Sequence, residues 1–85
     1  MTVHVNLTTY FAQQVIAAAS GGCNNIVPGT IWEARQLCGP TFWNSLAKPE
    51  RLHAGKIIAA AIDRSLLPLI KLPKSGNNHQ RYERQ

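Results

Sequence analysis

The residues that could do chemistry in this chain are cationic, and they cluster. The chain carries nine Lys/Arg against four Asp/Glu, a formal net charge of +5 over 85 residues. Residues 1–47 contribute only Glu33 and Arg35, which cancel. From Lys48 onward come Lys48, Arg51, Lys56, Arg64, Lys71, Lys74, Arg81 and Arg84, opposed by Glu50, Asp63 and Glu83. The whole excess therefore lies in the last 38 residues. Charge of one sign gathered in one region attracts polyanions: nucleic acid first, then an acidic protein or an anionic membrane. A solvated basic surface is the plainer alternative.

Other chemistry finds little support. There is no G-x-S-x-G, H-E-x-x-H, P-loop or paired-carboxylate pattern. The four carboxylates are scattered and read as caps or ion-pair partners, so the expectation is a protein that is not an enzyme and needs no cofactor. Cys23, Cys38, His53 and His79 include the residue types of a zinc site. They lack C-x-x-C or H-x-x-x-H spacing, so no metal is expected and buried free thiols are the reading. A Cys23–Cys38 disulfide is disfavoured by a reducing compartment. The start, MTVHVNL, lacks the basic and apolar regions of a signal peptide. Ile57 to Ile70, the longest apolar stretch, is broken by Asp63, Arg64 and Pro68, and falls short of the about 20 apolar residues a membrane span needs. A cytoplasmic protein is expected. An interfacial membrane helix over 50–64 is spoiled by Gly55 and Asp63.

The elements that must position these cations can be read from periodicity and breakers. Asn6 is a candidate N-cap ahead of Leu7, Tyr10, Phe11, Val15 and Ala18, one face of a helix over about 6–19 that ends at Ser20-Gly21-Gly22. SGGCNNIVPG, residues 20–29, reads as a loop. Thr30 and Glu33 have the T-x-x-E spacing of a capping box, which predicts a second helix through Ile31, Trp32, Ala34, Leu37 and Cys38, stopped by Gly39-Pro40. A short third helix covers about 41–47, with Phe42, Trp43 and Leu46 apolar; Pro40 suits its first turn. Trp32, Phe42 and Trp43 are read as core.

Pro49 and Glu50 open a fourth helix, about 50–64, with Leu52, Gly55, Ile58, Ala59 and Ile62 on one face. A glycine at mid-helix costs ~1 kcal/mol against alanine. Gly55 is therefore expected to mark close approach of the second or third helix. Leu67 to Leu72 is a strand, which Pro68 assigns to an edge, and the turn PKSGNN leads to a second strand, His79 to Glu83. Tyr82 is placed against Ile70 or Leu72, with a possible stacking role beside Arg81, and Arg84 and Gln85 are expected to fray.

The result is one small domain, 1–85 with a core of about 6–83, mostly α with a C-terminal β-hairpin. A chain of this length buries about 60–65% of its unfolded surface, so a homodimer would help its stability.

TIWEARQLCG, the turn at Gly39-Pro40, PERLHAGKIIAAAIDR and LLPLIKLPKSGNNHQRY together resemble the winged helix-turn-helix family over about residues 30–83. The resemblance implies a transcription-regulating DNA-binding domain whose helix 50–64 enters the major groove and whose hairpin reaches phosphates or the minor groove. Arg51, His53, Lys56 and Arg64 would act from the helix, and Lys71, Lys74, Asn77, Asn78, His79 and Arg81 from the wing. The implied partner is double-stranded DNA. A protein-interaction module of phage, prophage or plasmid type, bound to a larger host protein, is the rival. Against a reading helix stands IIAAAI, residues 57–62, apolar on every side. Buried all round, that helix would serve a core or a dimer instead.

Overall fold

A computed structural model describes residues 5–73 and 80–85. Among these, four helices and a three-stranded antiparallel sheet are arranged in the order α1 (Tyr10–Cys23), β1 (Ile31–Glu33), α2 (Ala34–Cys38), α3 (Pro40–Asn44), α4 (Lys48–Asp63), β2 (Leu69–Lys71) and β3 (Arg81–Arg84). The fold is mixed α/β rather than a helical domain with a terminal hairpin. The difference is β1.

Thr30 does not cap a helix. Its hydroxyl donates to the carbonyl of Val27 and accepts the Trp32 indole N–H. Ile31, Trp32 and Glu33 pair with Glu83, Tyr82 and Arg81. A β-branched and an aromatic residue side by side suit a pleated strand better than a helix, and β3 offers them an open edge. Helix α2 begins only afterwards, where Gln36 Oε1 accepts the Glu33 N–H at 2.8 Å.

β3 is thereby the central strand, with order β1-β3-β2. β2 is an edge strand, as Pro68 requires. The expected fraying of the last residues is overturned for the same reason. Arg84 N–H donates to Thr30 O, and Gln85 N–H donates to Pro68 O, both at 2.9 Å. The Arg84 Nε donates to Cys23 O at 2.9 Å, satisfying a carbonyl in the last turn of α1 with a cation placed favourably for the helix dipole.

α1 starts later and ends later than its sequence suggests. Thr9, not Asn6, is the N-cap, its hydroxyl accepting the Ala12 N–H at 3.1 Å. Asn6 instead makes a local turn with Thr8. The buried stripe is Ala12, Val15, Ala19 and Cys23, while Tyr10 is 78% exposed. The helix carries Gly21 and Gly22 inside its last turn because Gly22 abuts α2: a Cβ there would lie 1.9 Å from the Leu37 carbonyl oxygen.

α4 buries Ala54, Ile57, Ile58 and Ala61 against the core shared with α1. It ends in a Schellman arrangement, Ser65 N–H to Ile62 O and Leu66 N–H to Ala61 O, with Ser65 at φ 60° where glycine is usual. Tyr82 fills the centre between sheet and helices at 1% exposure, so it is a core residue and not a stacking platform. Cys23 and Cys38 are buried and free, as read from sequence.

The core chemistry predicts alkaline instability. Burial pushes the Tyr82 phenol up to about 12, and the nearby Cys38 adds to the rise. Burial likewise raises Cys38 to about 11 from 9.0, with Cys23 contributing. These groups are neutral in the fold, whereas in the unfolded chain they ionise near their ordinary values, about 8.5 for cysteine and 10 for tyrosine. Below both ordinary values nothing is lost. As pH rises through about 9 to 12 the unfolded chain sheds protons that the fold retains, so stability falls. Thermal melts followed by circular dichroism should show a marked drop in midpoint between about pH 8 and pH 11. Tyr82→Phe should weaken the upper part of that fall. A flat profile would contradict the packing described here.

Candidate functional site

α4 is amphipathic in an unexpected rotation. Its apolar face comprises Ala54, Ile57, Ile58 and Ala61. The opposite face carries Lys48, Arg51, Leu52, Gly55, Lys56 and Ala59, spaced three and four apart. The sequence-based face that grouped Leu52 and Gly55 with Ile58 is therefore corrected: Leu52 is 65% exposed. Within IIAAAI, Ile57, Ile58 and Ala61 are buried, while Ala59, Ala60 and Ile62 are half-buried. The segment is not sealed on every side, and the first half of the helix is open.

That open face forms one wall of a cleft of about 710 Å³. Lys71 and Tyr82 of the sheet line another wall, with Glu33 and Gln80. Arg35 of α2 and Trp43 and Asn44 of α3 complete it. Five cations, Arg35, Lys48, Arg51, Lys56 and Lys71, thus come from three elements to one concave surface, with Glu33 as the single carboxylate among its described lining residues.

Local structure accounts for each. Arg51 reaches from α4 to the end of α3, where its Nε donates to the Trp43 carbonyl at 3.2 Å, and it is half-buried in doing so. Lys48, at the first position of α4, and Lys56 are exposed. Glu50, which could have neutralised Lys48, accepts the Ala47 N–H at 2.7 Å and supports the helix start. Lys71 is exposed at the end of β2, in register with Tyr82. With five cations and one carboxylate among its described lining residues, the cleft carries an excess of positive charge.

Of the residues singled out from sequence, Arg51, Lys56 and Lys71 meet in this cleft. His53 and Arg64 do not line it. The His53 ring stacks on Phe11 of α1, centroids 5.8 Å apart and 13° from parallel. Arg64 follows α4 as its C-cap, its N–H bonded to Ala60 O. Arg81 also lies off the cleft, opposite Glu33 in the β1–β3 pair. Lys74, Asn77, Asn78 and His79 lie outside the described residues.

Arg35 and Lys48 were missed as site residues. Arg35 was cancelled against Glu33 in the charge count, and both line the cleft. Lys48 had a usable signal, since it precedes Arg51, Leu52 and Gly55 by three, four and seven positions. Placing the helix start at Glu50 hid it.

No helix among the described residues is long and apolar enough to cross a membrane. Comparisons with protein-family models, with curated proteins and with solved structures found no match to this chain.

Proposed function

We propose that this domain is a non-enzymatic nucleic-acid-binding regulator whose ligand is double-stranded DNA. The observation that carries the reading is the convergence of five of the chain's nine Lys/Arg on one cleft, beside a hairpin. Phosphates neutralised there would release counterions, the main source of affinity for such proteins. A long helix with a basic open face, set next to a β-hairpin, also supports the winged helix-turn-helix resemblance, in which α4 would be the groove-entering helix. Its N-terminal half, where Lys48 and Arg51 sit with Lys56 just beyond, is the part a recognition helix uses on base edges.

The test is fluorescence anisotropy of a labelled mixed-sequence duplex titrated at several salt concentrations. Five phosphate contacts give a slope of log K against log salt near −4.5, at about −0.9 per contact. Absence of binding at low salt, or affinity indifferent to salt, would overturn the proposal.

The rival reading, a protein-interaction module, has its own observation. On the outer face of the sheet Ile31 and Ile70, 51% and 42% exposed, flank Glu83 in register. A discrete partner recovered after nuclease treatment, and lost on Ile31→Lys, would favour it.

A further inference from the structure

Each glycine in the described structure has a local reason except one. Gly22 must lack a side chain because of the Leu37 carbonyl, and Gly29 and Gly39 have φ of 91° and 90°, where other residues are strained. Gly21 has open space around it, but it lies in the last turn of α1, where helix propensity counts little, and its carbonyl accepts Asn25 Nδ2. Gly55 sits in the interior of the sixteen-residue α4. A Cβ there would meet no atom of the described residues within 4 Å, and its φ is not in the left-handed region. The expected contact with α2 or α3 does not exist. A helix-interior glycine sacrifices stability, and no contact among the described residues recovers it.

Its position suggests what does. Gly55 lines the cationic cleft, with Lys48 and Arg51 two turns and one turn before it on the same face and Lys56 next to it. A side chain at this point would stand up from the cleft wall between the cations. Its absence leaves the helix backbone itself accessible, the usual reason for glycine where a ligand comes close. We propose that Gly55 is the point at which bound nucleic acid rests directly on α4, so that the flanking cations reach phosphates on either side. The inference rests on the nucleic-acid reading above and adds the contact point.

The consequence is a pair of effects of opposite sign. Gly55→Ala and Gly55→Leu should both raise the melting temperature, by about 4–8 °C for a domain of this size, since the helix gains propensity and the added Cβ meets no atom of the described residues. Both should weaken duplex binding, and leucine should do so more. An overpacked contact typically costs enough to lower affinity roughly ten- to a hundredfold. The salt slope should stay at the wild-type value, because all five cations remain. Wild-type affinity in a folded Gly55→Leu variant, alongside loss of binding in Lys56→Glu/Lys71→Glu, would place the contact elsewhere and leave the cleft reading intact. A wild-type protein that fails to bind duplex at low salt would overturn both. Were leucine to impair folding, Gly55→Ala decides: unchanged affinity would refute the contact point.

Discussion

Replacing Lys56 and Lys71 together by glutamate should reduce duplex affinity about a thousandfold at low salt. Each reversal exchanges an attraction for a repulsion of about 1 kcal/mol against a phosphate some 4 Å away in water, so about 2 kcal/mol per residue. Two such changes sum to about 4 kcal/mol, and every 1.4 kcal/mol is tenfold. The slope of log K against log salt should become shallower by about two, one for each lost contact. Folding should survive. Both side chains are exposed. The melting temperature should move by no more than a degree or two, as surface substitutions usually stay within about 0.5 kcal/mol. Arg64→Glu is the matched control. It reverses one charge at the C-cap of the same helix, away from the cleft, so its effect should be small beside that of either cleft lysine. Equal losses from Arg64 and from Lys56 would mean diffuse attraction to a basic molecule. Undiminished binding in the double variant would remove the cleft from consideration.

The sequence was most legible where a residue's local chemistry was also its tertiary role. Pro40 and Pro49 marked helix starts, Gly39 a stop, and Pro68 an edge strand, and all four act in place. It misled where local and tertiary preferences competed. Thr30 and Glu33 have capping-box spacing, yet Ile31 and Trp32 gain more by pairing with β3 across some fifty residues than by a turn of helix. No periodicity in a three-residue strand could show this. Missing β1 also concealed that β3 is central, and hence that Arg84 and Gln85 are fixed rather than loose. For the site, charge counting located the region and named Arg51, Lys56 and Lys71, but could not say which way α4 faces. An Ala- and Ile-rich helix has two candidate stripes, and only the packing of Ala54, Ile57, Ile58 and Ala61 decides between them. Arg35 was beyond reach for a simpler reason: its partners in the cleft are distant in sequence.

Gly22→Ala should be the most damaging glycine-to-alanine change among the described residues. In helix interiors the same substitution ordinarily stabilises, by up to about 1 kcal/mol, since it limits the unfolded chain and improves propensity. Here the new Cβ would lie 1.9 Å from Leu37 O, 2.7 Å from its carbonyl carbon and 3.0 Å from its Cα. All three are backbone atoms, so no rotamer change relieves the overlap. Either the end of α1 must unwind or α2 must retreat, and both elements carry buried residues that would move with them: Ala19 and Cys23 on one side, Leu37 and Cys38 on the other. Retreat would also disturb β1, which precedes α2 without a linker, and the Arg84 bond to Cys23 O. Overpacking of this kind costs about 1–3 kcal/mol, and more where the backbone itself is displaced. A domain of this length has roughly 4–13 kcal/mol of total stability, at 0.05–0.15 kcal/mol per residue. The expected result is a melting temperature at least about 10 °C lower, or a chain that does not fold cooperatively. Gly21→Ala, one residue earlier and with no atom within 4 Å of the added carbon, should be neutral or slightly stabilising. The contrast between adjacent positions isolates the α1–α2 contact from helix propensity. Equal melting temperatures for the two variants would mean that the helices do not meet at Leu37, and the placement of α2, Arg35 and that wall of the cleft would fall with it.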